Sequence, residues 1–352
     1  MKLSPGDPFP HLTGRTPTDA MRMDYMPGRY IALAFLPASA PAAEIRAVMT
    51  ALAEHEALFD DSHCCFFGVL KHPRLIASAE DSPPGIRWFL DPEGALFEES
   101  GMTFGDVDEA GWIVVDPALR VLRTAPLSET AEVMRWLGAL PPVDDHAGTR
   151  IVAPVLIVPR VLEPELCAEI IAMHRNGRAI EGPVITQTDG VVSAPYVDRD
   201  YRSAQQVSVT DPDLRGRIED RLMRRLAPEV LKALRYEVRD IESCFVAAYD
   251  AADGGRFRAH RDNLRPLQNR QFTLAINLNA EGYEGGELRF PEFGSATYRA
   301  PTGGAIVFAS SLLHEVTLIT SGRRYVMLSF FIDPPAVRAR ERRPRAEARL
   351  TA

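Results

Sequence analysis

The feature that most constrains this chain is a change of pattern around Pro141-Pro142-Val143-Asp144-Asp145-His146-Ala147-Gly148-Thr149, a polar, turn-rich stretch. Before it, apolar strand-like runs alternate with helix-like segments. After it, a helical region gives way to a run of strands with Gly-rich turns. A chain of 352 residues exceeds what one core usually holds, so the stretch reads as a domain boundary. The expected organisation is a first domain over residues 1–145, a second over 150–335, and an Arg-rich tail over 336–352. The tail follows Pro334-Pro335 with mixed charges, which predicts a solvated segment.

In the first domain, strands are expected at residues 30–36, 63–70, 86–90 and 111–115 and helices at 42–58 and 128–140, the last N-capped by Ser128. Such alternation predicts an α/β domain. The second should open with a strand at 153–158 and a helix at 163–174. Asp211-Pro212-Asp213 should cap an amphipathic helix over 214–227, with further helix to 234. Strands follow at 241–249, 271–278, 286–290, 305–308 and 324–332, which predicts an antiparallel sandwich or jelly roll with supporting helices. Residues 183–206 are long, polar and rich in Gly, Pro and Asp, and read as a functional loop. They carry Asp189, Tyr196, Asp198, Asp200, Tyr201 and Arg202, a mixture suited to a polar ligand.

Composition narrows the function. With 46% hydrophobic and 25% charged residues the chain is an ordinary globular protein, which excludes disorder, collagen and disulfide scaffolds. No apolar run approaches the roughly 20 residues of a membrane helix, and Met1-Lys2-Leu3-Ser4-Pro5-Gly6 lacks a signal-like apolar stretch. A cytoplasmic protein without a membrane partner is expected. The net charge of -8 argues against a nucleic-acid partner, and lysine occurs only as Lys2, Lys71 and Lys232. Cys64, Cys65, Cys167 and Cys244 are too few and too irregularly spaced for a disulfide framework or a zinc site. Cys64 and Cys65 fall in an apolar strand and read as buried thiols.

Among eight histidines, His260 precedes Asp262 by two residues, a spacing that puts both on one side of an extended chain. His314 follows a strand and a short turn. Two imidazoles and one carboxylate on one face of a metal leave three positions open, as in non-haem Fe(II) oxygenases. A dicarboxylate cosubstrate fills two of them, oxygen the third, and its far carboxylate needs a fixed cation. Arginine suits that role through its permanent charge and planar fork. Arg323 and Arg324 are adjacent on a strand, so only one points inward, and Arg324 is the choice.

Residues 153–333 resemble the Fe(II)- and 2-oxoglutarate-dependent dioxygenases of the prolyl 4-hydroxylase type. The resemblance opens with Ala153-Pro154-Val155-Leu156-Ile157-Val158 and Leu162-Glu163-Pro164-Glu165-Leu166-Cys167. It is carried by Tyr249, Gly254-Gly255-Arg256-Phe257-Arg258-Ala259-His260-Arg261-Asp262-Asn263, Tyr283-Glu284-Gly285-Gly286-Glu287-Leu288, His314-Glu315-Val316 and Gly322-Arg323-Arg324. It implies a double-stranded β-helix, with His260, Asp262 and His314 as catalytic iron ligands and Arg324 as the anchor of 2-oxoglutarate. It further implies Tyr249 as a cosubstrate-pocket residue, and Asn277 as either a polar cosubstrate contact or a plain strand residue. Phe257 stands where many relatives have tyrosine. Tyr201 and Arg202, in a segment similar to the family's mobile loop, and Arg270 are expected substrate contacts. The implied reaction uses Fe(II), 2-oxoglutarate and O2 to hydroxylate a peptidyl or small-molecule substrate, with succinate and carbon dioxide as products. Desaturation or cyclisation by the same centre stays open.

The first domain resembles the thioredoxin fold in its peroxiredoxin form, through Pro5-Gly6-Asp7-Pro8-Phe9-Pro10, Ala34-Phe35-Leu36-Pro37 and Gly111-Trp112-Ile113-Val114-Val115-Asp116. Pro41 stands at that family's threonine position and Glu44 at its cysteine position, so the resemblance implies the fold without the peroxidase chemistry. Docking, substrate presentation or a homodimer through this domain is expected instead. Two other readings are a scaffold whose redoxin-like domain recruits a partner, and a thiol peroxidase using Cys64 or Cys65.

Overall fold

The computed structural model describes residues 2–185, 187–188, 191–264 and 267–333. The expectations for the Arg-rich tail and for Asp189 lie outside the described residues. The chain packs as two units, the first in the main ending at Ala153 and the second beginning at Pro154. No helix among the described residues is long and apolar enough to cross a membrane.

The first unit is built on a seven-stranded sheet. Its central strands are Tyr30–Leu36, Cys64–Leu70 and Ile86–Leu90, mutually parallel, with Gly111–Val115 antiparallel beside the first. Every residue of Tyr30–Leu36 and of Cys64–Leu70 is buried, because side chains leave alternately to two apolar layers. Tyr30, Ala32, Ala34 and Cys64 enter one layer, with Val48 of the helix Ala42–Glu54 and Val133 of the helix Thr130–Leu137. Ile31, Leu33, Phe35 and Cys65 enter the other. The helix expected from Ser128 starts later, at Thr130, after a 3-10 turn over Leu127–Glu129, and Ser128 caps nothing. The buried side chains decide this start. Trp112 Nε1 donates to Thr130 Oγ1 at 3.0 Å, and Thr130 Oγ1 donates to the Leu127 carbonyl at 2.6 Å.

The second unit is a jelly-roll-type sandwich of two antiparallel sheets. Its strands are β1 (Leu156–Val158), β2 (Ile180–Glu181), β3 (Arg202–Ser203), β4 (Gln205–Ser208), β5 (Asp240–Asp250), β6 (Arg256–His260), β7 (Arg270–Asn277), β8 (Tyr283–Gly285), β9 (Leu288–Arg289), β10 (Thr297–Tyr298), β11 (Ala305–Ala309), β12 (His314–Val316) and β13 (Ile319–Ile332). The large sheet runs β1-β11-β7-β13-β5-β4-β2, with β8 also on β13, and the small sheet runs β3-β6-β12-β9-β10. Leu274, Ile276, Tyr325, Met327 and Phe331 leave the large sheet on one face. There they meet Leu166 and Ile170 of α1 (Pro164–Asn176), Leu214 and Ile218 of α2 (Pro212–Arg221) and Val230 of α3 (Ala227–Leu234). Intervening residues on the same strands face the small sheet and enclose a cavity.

Several boundaries differ from the sequence reading. The end of the long polar segment is strand, since β3 and β4 pair with β6 and β5. The helix expected over 214–227 is α2 followed by a π-helical turn at Leu222–Leu226. The strand expected over 286–290 shrinks to β9, because Gly285 and Gly286 adopt φ of +72° and +62°, the left-handed region that glycine favours.

Both strand thiols are buried. Burial pushes Cys65 up to about 12 and Cys64 well above its ordinary range. The native protein is therefore expected to leave Cys64 and Cys65 unreactive toward a thiol reagent near neutral pH, with both released only on denaturation. Hydrogen peroxide consumption lost on Cys64→Ser or Cys65→Ser would contradict this.

Candidate metal centre

β6 and β12 are neighbours in the small sheet, and their antiparallel register sets His260 directly opposite His314. Asp262 lies two residues beyond His260, where the backbone is held by its own N–H on the Ser310 carbonyl at 2.9 Å. Ligand atoms of His260, Asp262 and His314 all fall within 4.8 Å of one another. His260 Nε2 is 3.6 Å from Asp262 Oδ1, and His314 Nε2 is 3.4 Å from Asp262 Oδ2.

Each imidazole is oriented by its own backbone. His260 Nδ1 donates to the Arg258 carbonyl at 2.8 Å and His314 Nδ1 to the Leu312 carbonyl at 3.0 Å. A carbonyl only accepts, so Nδ1 carries the proton and the Nε2 lone pairs turn toward Asp262. Burial, reinforced by neighbouring His314, pushes His260 down to about 3, so the ring is neutral near pH 7 and ready to act as a ligand. For Asp262 burial alone would raise the carboxyl, but the contacts around it, among them a hydrogen bond from Thr273, outweigh this and hold it below its ordinary range. Thr273 Oγ1 donates to Asp262 Oδ2 at 2.8 Å and lies 3.0 Å from Ser310 Oγ. Thr273 has one proton and a carboxylate can only accept, so the chain runs from Ser310 to Thr273 to Asp262.

The cluster faces a cavity of about 150 Å³ between the sheets. Tyr249, Ala275, Val326 and Arg324 line it from the large sheet, and Leu288 and Val316 from the small one. Arg324 is only 4% exposed, and among the described residues its Nε and Nη1 have no hydrogen-bond partner. Tyr249 lies opposite it across β5 and β13, its ring 5.7 Å from the guanidinium. Arg323 points the other way, to Asp250 at 2.5 Å. The donor set is two imidazole nitrogens and one carboxylate, which fits a divalent first-row metal. The unmatched guanidinium fits an anion in the cavity.

Other expected site residues are placed differently. Asn277 does not line the cavity: its Nδ2 donates to Tyr283 Oη at 2.8 Å and to the Ala300 carbonyl at 2.9 Å. Its inward-facing position lies beyond the cavity, and its amide nitrogen is committed to the fold. Arg202 lines the cavity but donates to the Pro183 carbonyl at 2.9 Å and to Gln206 Oε1 at 3.2 Å. Those bonds leave little of its fork for a substrate. Tyr201 lines the cavity and donates to the Ala259 carbonyl at 2.9 Å. Arg270 lies over the Phe330 ring, 3.6 Å from its centroid, and donates to Glu242 at 2.6 Å. Phe257 stacks on His260. Sequence reasoning missed Thr273 and Ser310. Thr273 shares the inward parity of Ala275, the one signal that could have found it.

His174 on α1 is buried, with Nε2 at 3.3 Å from the Gln205 carbonyl.

Residues 244–332 match the 2OG-Fe(II) oxygenase superfamily. A PKHD-type hydroxylase from Acaryochloris marina is 31% identical over 180 residues, covering 50% of this chain and 77% of that protein. A Synechococcus PKHD-type hydroxylase is 28% identical over 150 residues, 40% of this chain, so the match spans 65% of that relative's length. Among solved structures, a Pseudomonas putida prolyl-4-hydroxylase aligns with TM-score 0.39 and 22% identity, over 56% of this chain and 98% of its own.

Removing the Thr273 hydroxyl should loosen Asp262 without touching a ligand atom. Thr273→Val is expected to weaken Fe(II) binding by about 10-fold, the usual scale for outer-shell partners. Anaerobic titration checks this, and unchanged affinity would show that the hydroxyl does not orient the carboxylate.

Proposed function

The chain belongs to the 2OG-Fe(II) oxygenase superfamily, and on that basis we propose that it is an Fe(II)- and 2-oxoglutarate-dependent dioxygenase that hydroxylates a peptide or small-molecule substrate. The observation that carries this reading is the pairing of a His260–Asp262–His314 cluster with a buried guanidinium, Arg324, whose Nε and Nη1 are unmatched in the same cavity. Bound Fe(II) would supply the chemistry that couples oxidation of 2-oxoglutarate, to succinate and carbon dioxide, with hydroxylation of a C–H bond by O2.

The protein's own residues set the geometry. His260, His314 and Asp262 would hold the metal, with the backbone carbonyls of Arg258 and Leu312 and the hydroxyl of Thr273 orienting them. Arg324 pairs with the far carboxylate of 2-oxoglutarate, and Tyr249 forms the adjoining wall. Val326, Ala275, Leu328 and Phe245 give the intervening walls an apolar surface that excludes water and strengthens the charge pairing. Tyr201 and Arg270 stand at the cavity as candidate substrate contacts.

The first unit is read as thioredoxin-like and without peroxidase chemistry, serving docking, dimerisation or substrate presentation. Glu44 stands in place of a nucleophilic cysteine, and the buried thiols of Cys64 and Cys65 count against a thiol mechanism.

Anaerobic addition of Fe(II) and 2-oxoglutarate to the full chain should produce a weak visible charge-transfer band, absent in His260→Ala and His314→Ala. Substantial succinate formation by either variant would count against the ligand set. Arg324→Ala should keep Fe(II) binding while the affinity for 2-oxoglutarate falls roughly 10- to 100-fold, the scale of a lost hydrogen bond to a charged group. Arg323→Ala should leave it unchanged, and the reverse pattern would exchange the two roles.

A further inference from the structure

Phe257 lies three residues before His260 on β6, a spacing that puts side chains on opposite faces of a regular strand. The register slips between these two residues. The rings therefore stack, with centroids 3.5 Å apart and planes 18° from parallel. Arg202 on β3 is the direct cross-strand partner of Phe257, and its guanidinium lies over the same ring, 4.8 Å from the centroid. The imidazole and the guanidinium thus both lie against the same phenyl ring. Tyr201 meets the same ring edge-on at 5.9 Å, and its hydroxyl holds the carbonyl of Ala259, the residue before His260.

The other edge of the guanidinium is committed to backbone. Arg202 Nη1 donates to the Pro183 carbonyl, and Pro183 and Val184 line the cavity that His260 faces. Val184 and Tyr196 exchange two backbone hydrogen bonds, at 2.8 and 3.1 Å. Gly182 makes the approach possible, since a Cβ there would lie 2.7 Å from Arg202 Nε. One planar group thus holds the backbone at Pro183 and backs the ring that stacks on His260.

We propose that Arg202 and Phe257 are positioning residues that couple the backbone at Pro183 and Val184 to the orientation of His260, so that metal binding and order in that backbone reinforce each other. The inference rests on the reading of His260 as a metal ligand. Coupling of this kind is reciprocal: whatever the metal adds to the backbone, the backbone returns to metal affinity. Lysine cannot replace Arg202, because it has neither a flat face for the ring nor a fork for the carbonyl.

The test uses the full chain under anaerobic conditions, with Fe(II) titration and amide hydrogen exchange at Val184 and Tyr196 as two readouts. In the wild type, saturating Fe(II) should add protection at both amides. Phe257→Leu should bind Fe(II) about 10-fold more weakly and, when saturated, gain no added protection. Phe257→Tyr should restore both. Should Phe257→Leu fail to fold by circular dichroism, Arg202→Lys decides, with loss of the added protection expected. Metal-dependent protection that persists in saturated Phe257→Leu or in Arg202→Lys would overturn the coupling. Wild-type Fe(II) binding with no change at the two amides would overturn the coupling alone. No Fe(II) binding by the wild type would remove the proposed function with it.

Discussion

The candidate site depends on the pairing of β6 with β12. It sets His260 opposite His314 and places the Asp262 carboxylate beside both Nε2 atoms. A slip of one residue in this register would turn one imidazole out of the cavity, because side chains alternate along each strand. The surrounding bonds hold against such a slip. Asp262 N–H is tied to Ser310, Ser310 N–H to Gln271, and each imidazole to a carbonyl two residues earlier. Bonds of this kind fix the ligand side chains from within the fold, so part of the cost of ordering them is met during folding.

Charge supplies the second constraint. Asp262 is held below its ordinary range with Thr273 donating to it, while Arg324 sits at 4% exposure beside Tyr249 with two nitrogens unmatched. Burying an unpaired cation costs several kcal/mol. The fold retains it on a strand whose neighbour, Arg323, is paired with Asp250 outside the cavity. A dicarboxylate lying between the cluster and this guanidinium would give the buried cation its partner.

Much of the architecture was legible in the sequence because burial on both faces leaves continuous apolar runs, as in Tyr30–Leu36 and Cys64–Leu70. Strand alternation turns Arg323 and Arg324 opposite ways, and the Gly322-Arg323-Arg324 resemblance, not the alternation, picked Arg324 as the inward one. Features that depend on irregular backbone were not legible. The slip before His260 brings Phe257 onto the imidazole, and no periodicity announces it. The start of the Thr130–Leu137 helix was misplaced because Ser128 is a good cap by type, whereas the Trp112 indole selects Thr130. Asn277 has the right parity for a pocket residue, yet the Tyr283 hydroxyl and the Ala300 carbonyl, brought to it by the fold, take its amide.

The arginines of the cavity show how structural and ligand-binding cations can be told apart. Arg202, Arg261, Arg270 and Arg324 all line it, and type alone does not rank them. Their donors do. Arg202 holds Pro183 and Gln206, Arg261 holds the Ser311 carbonyl, and Arg270 is paired with Glu242 while its flat face rests on Phe330. In Arg270 the charge is met by a carboxylate, whereas the hydrogen bonds named for Arg202 and Arg261 go to neutral oxygens, and Arg202 Nε is unmatched as well. Arg324 has Tyr249 beside it and no carboxylate partner among its described contacts. A guanidinium kept buried with donors to spare suits an anion, and the cavity in front of it is the space such an anion would enter.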